Sequence, residues 1–329
     1  MKLTRRLVLG RLCAMAPVMT CGASSSSRAA ESSRCIVPAK AGGGFDVTCR
    51  LAQEMLTEQK AVQLDYLPGG IGAVAYTRVV TERHAEPNTI VAFSSGSLLN
   101  LAQGKFGPYT ERDVRWVAVI GADYGVVAVR QDSPFKNLRQ LLAAMRAEPR
   151  ALTFGAGGTI GSQDWFKSAL LVRSAGGNAR SFRFVAFEGG GDALLALAGG
   201  HVSAFAGDAA EVGQHVAKGG SVRLLAVLSE QRLKGAFADV PTAREQGVDV
   251  VWQTARGFYM GGRVTDDSHR AWVAAFQRAM ADERYAKRLA SHGLFPLALT
   301  GAELEQFVAR QMDRFRTLAT EFEVMKRQG

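Results

Sequence analysis

Residues 35–59 read CIVPAKAGGGFDVTCRLAQEMLTEQ. A short strand-like run, CIVPA, ends at three glycines, Gly42, Gly43 and Gly44. A helical pattern follows, with Val47, Leu51 and Met55 recurring every four residues on one face. Strand, small-residue loop and helix then repeat along the chain. AVQLDYL leads to PGGIG, TIVAF to SSGS, ALTF to GAGGTIGS, SFRFVAF to EGGGD and SAFAGD to AAEVGQHVAKGG, and SVRLLAVL closes the series. Strands alternating with helices of this length predict an α/β fold with parallel sheets covered by helices.

There are too many units for one compact sheet, so two lobes are expected. The long β-rich stretch WVAVIGADYGVVAVRQDSPF is placed to cross from one lobe to the other, and GVDVVWQTARGFYMGG to cross back. Lobe 1 is drawn at 34–123 plus 253–329 and lobe 2 at 124–252, and two crossings suit a hinged clamp. The C-terminal part from Asp266 is mostly helical. Its last helix is expected to begin at Thr300 with a capping box to Glu303.

The chain has 329 residues, 47% hydrophobic and 21% charged, an ordinary globular composition. Its net charge of +10 is concentrated at the start: residues 1–30 hold Lys2, Arg5, Arg6, Arg11 and Arg28 and no acid. Without them 35 basic groups face 30 acidic ones, and no later Lys/Arg-dense segment is interleaved with aromatics. Nucleic-acid binding is therefore not expected. The basic start followed by LVLGRLCAMAPVM and GASSSS reads as an export signal over residues 1–30. Two arginines in TRRLVL leave a twin-arginine route open beside the general one, the general one being preferred. Thr20 before Cys21 argues against a lipid anchor there, and the cleavage point is not fixed. No later segment approaches the apolar length of a membrane span.

Cys35 and Cys49 remain once the signal is removed, in an oxidising compartment. They are expected to pair and brace the glycine loop, two separate buried thiols being the alternative. The five histidines are scattered without metal-ligand spacing. Val47 and Ile160 stand where a dinucleotide fingerprint needs glycine, and neither Gly-Lys-Ser/Thr nor G-x-S-x-G occurs.

In parallel α/β sheets, ligands bind at the carboxyl ends of strands, where helix N-termini offer unpaired N–H groups to anions. Four loops have that character: Gly42–Gly44, Ser94–Ser97, Gly155–Ser162 and Glu188–Gly191. Asp46 is read as a helix cap or a ligand contact, and Asp208 similarly. Tyr124 and Phe45 are read as core or cleft wall. Only Lys40 places a cation near any of these loops, so backbone amides and hydroxyls are expected to neutralise a bound anion.

The stretches CIVPAKAGGGFDVTCRLAQ, YLPGGIGAVAY, TIVAFSSGSLLNLAQG, FGAGGTIGSQDW, FVAFEGGGDALLALAGGHV, AFAGDAAEV and DVPTAREQGVDVVWQTARGFYM resemble, in this order, Bug-type (TctC-like) solute receptors. These are the extracytoplasmic, periplasmic binding proteins of tripartite tricarboxylate transporters. The resemblance implies a two-lobed, type II-like clamp that closes on a carboxylate and passes it to large and small permease subunits. It implies no catalysis, cofactor or metal, and a monomer. Carried onto this chain, it points to Gly43, Gly44, Phe45, Asp46, Ser94, Ser95 and Ser97 for one carboxylate. Gly158, Thr159, Ser162 and Asp208 would contact the rest. The cysteine-bracketed loop and EGGGD look most like the tricarboxylate, citrate-type branch, whereas Ala41 stands where proline is common. An exported enzyme acting on a carboxylic acid, or a sensor subunit, is the competing expectation.

Overall fold

A computed structural model describes residues 33–179 and 181–325, which belong to one compact unit. The expectations about the export signal, twin arginines and Cys21 lie outside the described residues.

The opening segment folds as read. β1 (Ser33–Val37) runs into the glycine loop and then α1 (Gly44–Leu56), whose buried side includes Thr48, Leu51, Ala52 and Met55. Val47 stands at the edge of that face. Cys35 on β1 and Cys49 on α1 form a disulfide, with Cα atoms 5.8 Å apart. Closing a loop of this length contributes about 3 kcal/mol in the chain-entropy account. Two more strand–helix units follow: β2 (Val62–Tyr66) with α2 (Ala73–Thr81), and β3 (Thr89–Ser94) with α3 (Ser95–Ala102). β1 pairs in parallel with both β2 and β3.

β4 (Val114–Arg130) is a 17-residue, almost wholly buried strand. Up to Tyr124 it lies antiparallel to β9 (Gln253–Gly261), which in turn lies antiparallel to β3. From Gly125 onward it pairs with β7 (Ala204–Asp208) on one side and β8 (Val222–Leu228) on the other, both antiparallel. β5 (Thr153–Gly157) is parallel to β7 and to β6 (Arg183–Phe187). Two sheets thus share one strand, and each is mixed rather than purely parallel. At the hand-over, Gly125 N–H donates to Trp252 C=O (2.9 Å) and Trp252 N–H donates to Leu228 C=O (2.8 Å). The lobe limits expected at 123/124 and 252/253 fall beside this change of partner.

The second sheet carries α4 (Leu138–Ala147), α5 (Gln163–Ser174), α6 (Gly190–Ala198) and α7 (Ala209–Ala217). α8 (Asp266–Met280) and α9 (Tyr285–Ser291) return to the first sheet, where Phe258 and Phe276 stack at 4.9 Å. α10 (Gly301–Glu321) lies along α3 and reaches α5. Phe322 at its end packs edge-on against Trp165 and Phe166, and Arg173 pairs with Glu321 (2.8 Å). Thr300 is the residue before α10, but it makes no side-chain cap. Its hydroxyl accepts from Gln277 Nε2 (3.0 Å) on α8, so a contact between helices replaces the expected capping box.

Candidate functional site

The helix N-termini at the glycine, serine and aspartate loops fall into two groups. α3 is closed by a reciprocal pair in which Ser97 Oγ accepts from Ser94 N–H (3.0 Å) and the Ser94 side chain accepts from the first turn. α5 is closed by Ser162, whose Oγ accepts from Trp165 N–H (3.2 Å). α7 is closed by Asp208 and Glu211. Their first-turn donors are in part satisfied within the chain, leaving less for a ligand. α1 and α6 differ: they begin after Gly43 and Gly189, and neither has a side-chain cap. Their N–H groups and the positive ends of their dipoles remain available.

These two ends line one cavity of about 410 Å³. Its walls include Gly42, Gly43, Gly44 and Val47 on one side, and Gly189, Gly190, Gly191 and Asp192 on the other. Asp123, Glu211 and Arg256 also line it. Gly42 has a φ of +89°, a conformation that favours glycine. Its N–H donates to Asp46 Oδ2 (2.8 Å), which also accepts from Arg50 Nε (3.0 Å), while Tyr66 OH donates to Oδ1 (2.7 Å). Burial pushes the Asp46 carboxyl up, but these donors outweigh it and hold its pKa below the usual value. Asp46 therefore closes the loop ahead of α1 rather than capping the helix at its N-cap position.

Arg256, in the middle of β9, lies across Gly44. A Cβ at Gly44 would stand 2.2 Å from Arg256 Nη1, so only glycine leaves room for the guanidinium there. Across the cavity Glu211 lies on Gly190 in the same way, its Oε2 2.0 Å from where a Cβ would be. Gly43 is different, because a Cβ there meets nothing closer than the Lys40 carbonyl at 3.8 Å.

Beneath the cavity is a cluster of buried and half-buried charges. Lys167 Nζ bonds Asp164 Oδ1 (2.7 Å) and Asp208 Oδ1. Burial lowers the Lys167 pKa, but the two carboxylates overcome that and raise it. Arg256 Nη2 lies 3.5 Å from Asp208 Oδ2 and 3.7 Å from Asp123 Oδ2. Asp123 Oδ1 accepts from Tyr124 N–H (2.8 Å) and Ala210 N–H (3.2 Å). Asp123 Oδ2 and Arg256 Nε are buried and have no hydrogen-bond partner among the described residues. Burial, then the Asp208 charge, pushes the Asp123 carboxyl up to about 7, although Arg256 opposes this. Burial pushes Asp164 up to about 6 against the pull of Lys167, and burial with Asp164 and Asp208 pushes Glu211 up to about 8.

Of the residues expected from sequence, Gly43 and Gly44 line this cavity. Phe45 belongs to the core, and Asp46 is 3% exposed within the loop. Ser94, Ser95 and Ser97 are buried, and Ser95 Oγ accepts from Ala255 N–H (2.9 Å). The Gly158–Ser162 turn lies against α3: Gln103 Nε2 donates to Gly161 C=O (2.8 Å). Gly158 N–H donates to Phe187 C=O (2.8 Å), Thr159 is exposed, and Thr159 C=O accepts from Ser162 N–H (2.9 Å). Asp208 is bound to Lys167 and Gln163. Sequence reading found no cation beyond Lys40, but Arg256 occupies the cavity. It missed Asp123 and Glu211 as well. The available signal is a lone charge inside an apolar run: Arg256 in TARGFYM, Asp123 in VIGADYGVV and Lys167 in WFKSALL.

A larger groove of about 1230 Å³ opens beside Tyr124, Phe237 and Phe295 and shares Gln214, His292 and Leu294 with the cavity. Tyr124 OH accepts from Gln253 Nε2 (2.9 Å), and its ring packs edge-on against Phe295. The charged residues of this groove, Glu230, Arg232 and Lys234, are exposed, and neither glycine loop borders it. The smaller cavity, with its buried charges and two uncapped helix ends, is therefore the candidate site.

The fold is the type II architecture of periplasmic solute-binding proteins. A TctC solute-binding protein from Polaromonas, solved without ligand, shares it at a TM-score of 0.70 and 26% identity, over 88% of this chain and 98% of the other. MatC from Rhodopseudomonas palustris, solved with malate, matches at a TM-score of 0.71 and 24% identity, over 87% and 98%. The chain is also 26% identical to protein BugT of Bordetella pertussis, over 98% of both chains. Residues 48–324 match the tripartite tricarboxylate transporter family receptor, and the chain belongs to that family. It is thus an extracytoplasmic solute receptor of that family. Among the described residues no cluster of metal-ligating side chains occurs, and no helix is long and apolar enough to cross a membrane.

Proposed function

We propose that the receptor holds a di- or tricarboxylate of the citrate type between its two uncapped glycine loops. One carboxylate meets Arg256 and the N–H groups of Gly44 and Phe45. The other end meets the N–H groups of Gly190 and Gly191 at the start of α6. The observation that carries this reading is the Arg256 guanidinium laid on Gly44 inside the cavity. A charge-assisted bond of this kind contributes about 1.5–3 kcal/mol. Malate bound to the Rhodopseudomonas relative is in keeping with a small polycarboxylate.

Closure would rotate residues 124–252 against 34–123 plus 253–329 about the Tyr124–Gly125 and Trp252–Gln253 crossings. The closed monomer then presents the solute to large and small permease subunits. The test is a thermal-shift panel of citrate, tricarballylate, malate and succinate on the mature protein. A bound acid at 100 times its Kd is expected to add about 2.7 kcal/mol of stability. No shift with any of them overturns the reading.

A further inference from the structure

The charges in and under the cavity, buried at Asp123, Asp164, Lys167 and Asp208 and half-buried at Glu211 and Arg256, do not balance. Four carboxyls, Asp123, Asp164, Asp208 and Glu211, share two cations, Lys167 and Arg256. Lys167 is taken up by Asp164 and Asp208. Arg256 is divided between Asp208 and Asp123, at distances longer than a close ion pair. Among the described residues the Glu211 carboxyl accepts a hydrogen bond from Asp208 N–H, at 3.3 Å. Asp123 Oδ2 has no hydrogen-bond partner among the described residues, its nearest charge being Arg256 Nη2 at 3.7 Å. A solute carboxylate brought to Arg256 adds negative charge to a site that already has too much, in surroundings where unpaired charge is costly.

We propose that the solute enters this cleft together with a proton, held on the Asp123 and Glu211 carboxyls, so that binding weakens as the pH rises. The inference rests on the carboxylate-receptor reading above. The proton comes from solvent and stays on a carboxyl oxygen, and no covalent bond forms to the solute. As a neutral acid, Glu211 donates a hydrogen bond across Gly190 to an incoming carboxylate. Ionised, it repels that carboxylate from the N-terminus of α6. Asp123 acts likewise under Arg256, its Oδ2, which makes no hydrogen bond among the described residues, becoming the donor.

The groups facing this pair oppose one another. Arg256 on β9 and Lys167 on α5 favour ionisation. Asp208 at the end of β7 and Asp164 on α5 favour the proton, and Asp192 on α6 is exposed on the same cavity wall. His215, Lys218 and His292 also border the cavity: His215 Nε2 is buried without a hydrogen-bond partner among the described residues, Lys218 is exposed, and His292 Nε2 lies 3.2 Å from Glu54 Oε1. The balance leaves Asp123 near 7 and Glu211 near 8 before any solute arrives. A bound anion moves both further up, so binding takes up protons near and above neutral pH.

The test uses citrate, titrated calorimetrically from about pH 7.5 to about pH 9, a range in which nearly all of the solute's own carboxylates are ionised. Repeating it in two buffers of different ionisation enthalpy counts the protons taken up. The affinity is expected to fall by up to about tenfold per pH unit. Glu211→Gln keeps an acceptor for Asp208 N–H and cannot ionise. It is expected to flatten the fall and to bind citrate more tightly than the wild type at about pH 9. An affinity independent of pH, with heats independent of buffer, overturns the proposal. So does a carboxyl NMR titration of the ligand-free protein in which both groups ionise near the usual carboxylate value. Failure of citrate, malate and succinate to bind at any pH removes instead the receptor reading on which the proposal stands.

Discussion

The two glycine loops of the cleft are built alike and charged oppositely. Each ends a strand, begins a helix without a side-chain cap, and has one charged side chain lying where a Cβ would be. Over Gly44 that side chain is Arg256, and over Gly190 it is Glu211. The first loop is further fixed by the Cys35–Cys49 disulfide and by Asp46 holding Gly42. The second is continuous with the cluster of carboxyls around Lys167. The backbone of both loops favours an anion, but only the first has a fixed positive charge. In the second, a proton decides whether the side chain helps or repels. Glycine thus serves two purposes here: it exposes N–H groups, and it makes space for a neighbouring side chain to set the sign of the site.

The largest way to break this contrast is to remove the cation. Arg256→Ala is expected to weaken citrate binding at least about 100-fold, measured by calorimetry, because the first loop then keeps only backbone donors. A change below about threefold would mean that the guanidinium is not part of the site.

Changing the pH separates the loops through stability. Asp123, Asp164 and Glu211 have raised pKa values, so the folded chain holds protons that the unfolded chain releases. The stability they give is complete below their unfolded values of about 4 and is lost as the pH rises through 6–8. Asp46 has a lowered pKa, so its contribution is present above about 4 and is lost as the pH falls through its folded value. Acid thus loosens the first loop and alkali the second. The melting temperature is expected to be at least about 5 °C lower at pH 9 than at pH 5.5, and Glu211→Gln to recover part of the difference. A flat profile across that range would contradict the buried charge imbalance.

A smaller effect distinguishes neighbouring glycines. Gly44→Ala places a methyl group on Arg256 and is expected to weaken citrate binding about tenfold by displacing the guanidinium. Gly43→Ala meets open space and is expected to change affinity less than about threefold. Equal effects at the two positions would show that the contact with Arg256 is unimportant.

Much of the scaffold is legible in the chain because each unit repeats one local pattern: an apolar strand, a small-residue loop and an amphipathic helix. What local pattern does not carry is pairing. The antiparallel insertion of β9 between β3 and β4 depends on contacts far apart in sequence. That pairing sets Arg256 opposite Gly121 and aims its side chain over Gly44. The serine and aspartate loops illustrate the same point. Ser94, Ser97, Ser162 and Asp208 have the composition of a ligand loop and also that of a helix cap, and here they cap. Only the three-dimensional arrangement shows which N-termini are left open. Thr300 repeats the lesson, since a partner on another helix took the hydroxyl that the local motif assigned to its own.

The C-terminal helix has a practical consequence. Phe322, the residue after it, packs edge-on against Trp165, whose ring is also stacked with Phe182. This indole is therefore an optical gauge already present in the chain. Any opening of the clamp that pulls α10 away from α5 would wet the ring and shift its emission to the red. Solute capture could then be followed in real time without attaching a dye.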